Sequence, residues 1–198
     1  MRELSLHILD ILENSLAAGA TWIELTIEED LAADSLTITV EDDGRGMSQE
    51  QLARVLDPFY TTRTTRRVGL GLPLFKAAAE RCNGSLAITS QAGLGTTVQV
   101  TFQRSHIDRA PLGDIKSTLM AAILRGTADI RYVHRIKREG AIQEFDFDTA
   151  SIRTELDGVP LTHPPVQQWL QRFIAEGEKE IEISDRQTAS SRRDRDRR

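Results

Sequence analysis

Apolar positions recur along this chain with two periods. At the start, Leu4, Ile8, Ile11, Leu12 and Leu16 return every three or four residues, which predicts a helix over 3–17 with one apolar side, ended at Gly19. Alternation then takes over in Ile23, Leu25 and Ile27 and again in Leu36, Ile38 and Val40, so a β-hairpin is predicted, turning over 30–35 and needing cover on one face. Ser48 and Gln51 stand at capping-box spacing and open a short helix through Leu56, which Pro58 stops. Residues 57–68 hold four threonines and three arginines with almost nothing apolar, and are read as a mobile loop. A helix resumes over 72–82 and ends at Asn83-Gly84, and two strands follow over 85–90 and 96–104, joined by a turn at 91–95.

That order predicts an α+β fold, a two-layer α/β sandwich with helices on one face of a mostly antiparallel sheet. After Arg104 the pattern restarts, with a helix near 112–124, strands near 130–136 and 141–147, and helices near 151–156 and 164–178. The expected organisation is a first domain over 1–104, a small α+β C-terminal lobe over 105–183 and a disordered basic tail over 184–198. The tail has no apolar periodicity, so it offers nothing to bury against the entropy of ordering it.

Composition narrows the class. Hydrophobic residues at 39% and charged residues at 28% describe a soluble globular chain of 198 residues, with no apolar run near the ~18 that a membrane span needs. The N-terminus carries no basic-then-apolar export signal, and Cys82 stands alone, so a reducing cytoplasm is expected, without disulfides or a thiolate zinc site. Net charge is −5, while the last fourteen residues hold six arginines and three aspartates, which leaves the folded part more acidic than the whole. A nucleic-acid partner is not expected.

Candidate chemistry sits at the joints between elements. Glu3, His7, Asp10 and Asn14 fall on one arc of the first helix. The run Glu41-Asp42-Asp43-Gly44-Arg45-Gly46-Met47 follows the second strand. Its glycines let backbone approach a flat ligand, and Asp42 can accept a hydrogen bond from an exocyclic amine such as that of adenine. Val68-Gly69-Leu70-Gly71-Leu72-Pro73 places two glycines before a helix, where free N–H groups and the helix dipole can hold phosphate oxygens. Arg63, Arg66 and Arg67 precede it and could fold over a triphosphate. Gly93-Leu94-Gly95-Thr96-Thr97 closes the series. Neither a Gly-x-x-x-x-Gly-Lys-Ser/Thr loop nor a Gly-x-Gly-x-x-Gly strand-turn-helix unit is present.

Over residues 1–104 these pieces, in this order, resemble the GHKL superfamily of gyrase, heat-shock chaperone, histidine kinase and mismatch-repair ATPases. Leu12-Glu13-Asn14-Ser15-Leu16-Ala17-Ala18-Gly19-Ala20-Thr21 is similar to the asparagine box in its mismatch-repair wording. Asp42, Gly44, Gly46 and Met47 match the first glycine box, and Asp57-Pro58-Phe59-Tyr60-Thr61-Thr62-Arg63 resembles the phenylalanine box of histidine kinases. Gly69, Leu70, Gly71 and Leu72 match the second glycine box, and Thr96 with Gly93 and Gly95 resembles the last one. The likeness implies ATP and Mg2+ as ligands, with Asn14 holding the metal, and it is nearest to the catalytic domain of histidine kinases.

Two departures shape the expected activity. Only thirteen residues precede Asn14, without the helical hairpin that carries a phosphoacceptor, and neither His7, His106, His134 nor His163 has an acceptor's acidic and proline neighbours. Where hydrolysing relatives place a glutamate general base, four residues before the asparagine, this chain has Asp10, one methylene shorter. Three activities fit: a kinase acting in trans on a partner protein recruited by the C-terminal lobe, an ATP-hydrolysing switch, and a noncatalytic ATP sensor.

Overall fold

The alternating strands organise the molecule, which in the computed structural model is described over residues 3–57, 71–126 and 128–195, with side chains to residue 181. β1 (Trp22–Asp30) and β2 (Ser35–Asp42) form the expected hairpin, with Leu25 opposite Val40 and Ile27 opposite Ile38. β3 (Ser85–Gln91) and β4 (Gly95–Gln103) form a second hairpin, and β4 runs antiparallel to β2. In this register Ile23, Leu25, Ile27, Leu36, Ile38, Val40, Val98, Val100 and Phe102 all enter one buried face. Each such burial contributes about 1.5–3 kcal/mol.

β5 (Asp129–Arg138) lies parallel to β1, and β6 (Ala141–Asp148) pairs antiparallel with β5, giving the order β3-β4-β2-β1-β5-β6. The segment after residue 105 thus has the expected elements, and its strands continue the sheet already begun. The hairpin occupies only one edge of β1, and the peptide groups on the other edge need partners. Ile130 and Tyr132 come into register with Ile23 and Leu25, so β5 extends the apolar face without a break in phase.

α1 (Leu4–Ala17), α2 (Gln49–Arg54), α3 (Gly71–Glu80), α4 (Ile115–Arg125), α5 (Thr149–Glu155) and α6 (Pro164–Arg195) complete the described elements. The capping box of α2 forms as its spacing predicts: Gln51 N donates to Ser48 Oγ at 3.2 Å, and Ser48 N donates to Gln51 Oε1 at 2.9 Å. α1, α3, α4 and α6 cover the apolar face and share one core through Leu12, Phe75, Leu119 and Leu170. The opposite face carries charge ladders, among them Glu24–Arg131–Asp146 at 3.2 and 2.7 Å and Glu28–Lys137 at 2.7 Å.

The start of α1 ties the two halves of the chain together. Glu3 makes no side-chain cap, and the free N–H groups of Leu4 and Ser5 donate instead to the carbonyls of Pro111 and Leu112 at 3.0 and 2.8 Å. Thr118 Oγ1 donates to the Ser5 carbonyl at 3.3 Å, and Arg125 pairs with Glu13.

Candidate functional site

β2 runs out beside the C-terminal end of α1, and its last residue, Asp42, is buried there. Ser15 Oγ donates to Asp42 Oδ2 at 2.6 Å, and Gly44 N donates to Oδ1 at 2.9 Å. The next carboxylate turns the other way. Asp43 accepts from Thr21 N, Thr21 Oγ1 and Trp22 N at 2.7, 2.5 and 2.9 Å, tying the turn to the start of β1. Desolvation, the largest single cause, works against it, and together the bonds from Thr21 and Trp22 hold the Asp43 carboxyl below its usual range.

Beyond Asp43 the chain is held by backbone. Arg45 N donates to the Ala18 carbonyl at 3.0 Å, and Gly93 N donates to the Arg45 carbonyl at 2.8 Å. Met47 N donates to Ser90 Oγ at 2.8 Å, and that hydroxyl donates to the Gly95 carbonyl and lies 2.9 Å from Thr96 Oγ1. Two glycines make this contact between turns feasible. A Cβ on Gly46 (φ +62°) would lie 2.0 Å from the Gln91 carbonyl oxygen, and one on Gly95 (φ +111°) would lie 1.9 Å from that of Asp42.

On the helical side, Gly71 opens α3 against α1. A Cβ there would lie 3.3 Å from both Cβ and Oδ2 of Asp10, so the Asp10 carboxylate rests beside the first turn of α3. The N-terminal turn of a helix carries the positive end of its dipole. Asn14 is exposed one turn further along α1, while Leu72 packs into the core edge. The fold thus gathers Asp10, Asn14, Asp42, Gly44, Gly46, Met47, Gly71, Leu72 and Thr96 where α1, α3 and the ends of β2 and β4 meet. Phe59, Thr61, Thr62, Arg63, Gly69 and Leu70 lie outside the described residues, as do Arg66 and Arg67.

The polar arc of α1 divides in the folded protein. His7 is only 5% exposed and stacks on Phe75 at 4.7 Å with the rings 3° apart. Burial, then the N-terminal charge and Arg81, lowers its pKa to about 4, so it is a neutral core residue. Sequence reasoning assigned no role to Ser15, Asp43 or Ser90. The signal for Ser15 was readable, because it stands in phase with the buried positions Leu4, Ile8, Ile11 and Leu12, where a hydroxyl needs a partner. For Asp43 and Ser90 no local signal exists, since their partners belong to other elements.

The donor set at α1 suits a hard cation. Asp10 and Asn14 offer oxygen donors, and among the described residues no group of three His, Cys, Asp or Glu could hold a metal by itself. Mg2+ keeps waters and shares its shell with phosphates, so one or two protein oxygens are enough.

An α+β sandwich with its polar joints collected at one end of α1 is the frame of a nucleotide-binding ATPase domain. Residues 2–106 match the family described as Histidine kinase-, DNA gyrase B-, and HSP90-like ATPase, and the chain belongs to it. It is 35% identical to sporulation kinase C of Bacillus subtilis over 100 residues, which are 50% of this chain and 23% of that protein. It is 38% identical to sensor protein kinase FleS of Pseudomonas aeruginosa over 109 residues, 55% of this chain and 26% of the kinase. The chain therefore spans about a quarter of the length of these relatives. The N-terminal domain of a DNA repair protein shares the fold, with a TM-score of 0.52 and 15% identity over 73% of this chain and 52% of that one. The protein thus carries an ATP-binding domain of histidine-kinase type. Among the described residues, no helix is long and apolar enough to cross a membrane.

Proposed function

We propose that the chain binds Mg-ATP beside α1 and passes the γ-phosphoryl group to an acceptor residue on a separate protein. The observation that carries this reading is the contact of Asp10 with Gly71, which sets a carboxylate at the helix end where phosphate oxygens would be held. In this reading Asp42 accepts from the adenine amine, while Gly44, Gly46 and Met47 lie along the base and Thr96 supports that edge. The N–H groups of Gly71 and Leu72 receive the phosphates, and Phe59, Thr61, Thr62, Arg63, Gly69 and Leu70 are further nucleotide contacts that the family likeness implies. Asn14 holds Mg2+ jointly with the phosphates, and the ion when bound draws off phosphate charge. Asp10 accepts the proton of the attacking group, for which a reach of about 3 Å is needed. The bond from the γ-phosphorus to the bridging oxygen breaks, a bond to the acceptor forms, and ADP leaves.

The relatives named above are kinases, which favours transfer. His7 and His134 are both buried, which favours an acceptor carried elsewhere, and the surface of the C-terminal half is the proposed docking region in the cytoplasm. Hydrolysis coupled to a conformational change is the second reading, favoured by the direct bonds from the start of α1 to Pro111 and Leu112. The test follows the label from γ-labelled ATP in the presence of Mg2+ and cytosolic protein, with Asp10→Asn as control. Label on a second protein with the wild type alone supports transfer. Free phosphate with the wild type alone supports hydrolysis, and bound ATP left intact in both supports a sensor and rejects transfer.

A further inference from the structure

Asp42 is the residue this site would use to read a base, and its two oxygens are not equivalent. Oδ1 is fixed by Gly44 N at 2.9 Å, a bond local to its own turn. Oδ2 is fixed from α1 by Ser15 Oγ at 2.6 Å, within the range of a charge-assisted O–H···O− bond. Both partners are buried, Ser15 at 2% exposure and Asp42 at 7%, so water does not compete freely for the bond. Without the hydroxyl, the carboxylate would keep, among the described residues, its local bond to Gly44 and could rotate about its side-chain torsions.

We propose, resting on the ATP-binding reading above, that Ser15 is the positioning residue that makes Asp42 selective for a 6-amino purine over a 6-oxo purine. A carboxylate is acceptor-only, so it bonds the 6-amino group and repels a 6-oxo group. Repulsion discriminates only when the acceptor cannot turn aside, because the rejected base must meet an unpaired polar contact. Ser15 supplies that constraint from the same helix that carries Asn14 and Asp10. One rigid element, α1, therefore carries the groups that meet the phosphates and also fixes the β2 carboxylate that reads the base.

The test compares affinities for ATP and for inosine triphosphate by calorimetry in the wild type, Ser15→Ala, Ser15→Thr, Asp42→Asn and the Ser15→Ala/Asp42→Asn double variant. Thermal melting of each variant checks that it is folded. Ser15→Ala is expected to lower the ratio of ATP to inosine triphosphate affinity by about tenfold, the scale of one hydrogen bond to a charged group. Ser15→Thr, which keeps the hydroxyl, should restore most of that ratio, and Ser15→Ala should leave it unchanged once Asp42 is Asn. Equal weakening of both nucleotides in Ser15→Ala would mean a merely structural hydroxyl and would overturn the inference, as would an unchanged ratio. Failure of the wild type to bind ATP would instead remove the reading on which the inference rests, and it shows before any variant is compared.

Discussion

Two carboxylate centres lie against the same sheet, and they are built on opposite terms. Asp42, at the end of β2, meets two neutral donors among the described residues, a hydroxyl and a backbone N–H. Glu29 on β1 and Glu178 on α6 instead enclose a histidine. Glu178 accepts from Tyr132 Oη at 2.7 Å and from His134 Nδ1 at 3.1 Å, while Glu29 accepts from Arg104 Nε at 2.5 Å and lies 3.5 Å from His134 Nε2. Burial opposes the imidazolium, yet the bonds and charges of Glu178 and Glu29 raise His134 to about 9. Burial likewise opposes the Glu29 charge, and the neighbouring His134 and the bond from Arg104 bring it to about 2. The lesson is electrostatic. A carboxylate neutralised by fixed cations has nothing left for a ligand, whereas one held by neutral donors keeps its charge on offer.

The largest expected effect breaks the closed centre. His134→Ala leaves two part-buried carboxylates without their shared cation and should cost about 3 kcal/mol in chemical denaturation, the low end for a buried pair. Nucleotide selectivity should not change, and a changed selectivity would mean that the two centres are coupled. pH sharpens the same contrast. His134 has a folded pKa of about 9 against an ordinary 6.5, so its contribution is whole below about 6.5 and is lost as pH rises through about 9. Melting temperature of the wild type should fall across that window and stay flatter there in His134→Ala. His7 acts in the opposite sense: with its pKa lowered to about 4, the neutral form it needs is lost as pH falls from 6.5 towards 4.

Next in size is the open centre. Asp42→Ala should weaken ATP binding by about 2–3 kcal/mol, near a hundredfold, while costing stability only on the scale of about 1 kcal/mol. Calorimetry and melting together separate the two quantities, and a large stability loss with wild-type affinity would invert the roles assigned above. The smallest effect concerns the surface pair of Arg125 and Glu13, where Arg125 is 65% exposed. Arg125→Ala should change stability by less than about 1 kcal/mol and leave ATP affinity alone. A clear change in affinity would instead mark the α1–α4 contact as a route between the site and the C-terminal half.

Much of this comparison was legible in the sequence on one side and little on the other. The strands containing Ile23, Leu25 and Ile27 and the helix containing Leu4, Ile8 and Leu12 announce themselves, because each period is local and each face is cleanly apolar. Asp42, Gly44, Gly46 and Gly71 stand in joints whose spacing points to a ligand. The closed centre left no such trace, since Glu29, Tyr132, His134 and Glu178 come from three elements up to 149 positions apart and share no motif. His134 even occupies a position in phase with Ile130 and Ile136, where alternation alone would place an apolar residue. Parallel pairing of β5 with β1 was likewise out of reach, because, among the described residues, three strands and three helices lie between them and periodicity carries no information about partner choice.

That parallel pair also sets a timetable for the newborn chain. β2 follows β1 after a short turn, but each β1 residue pairs with a β5 residue 107 positions later. At ~5–20 residues per second of synthesis, one edge of β1 waits about 5–20 s for its neighbour to leave the ribosome, with its N–H and C=O groups unpaired. Closing so long a loop also costs more entropy than closing the hairpin, so the pairing is late for thermodynamic reasons as well. An unpaired strand edge beside one apolar face is a template for wrong partners, and during that interval β1 is exposed to them.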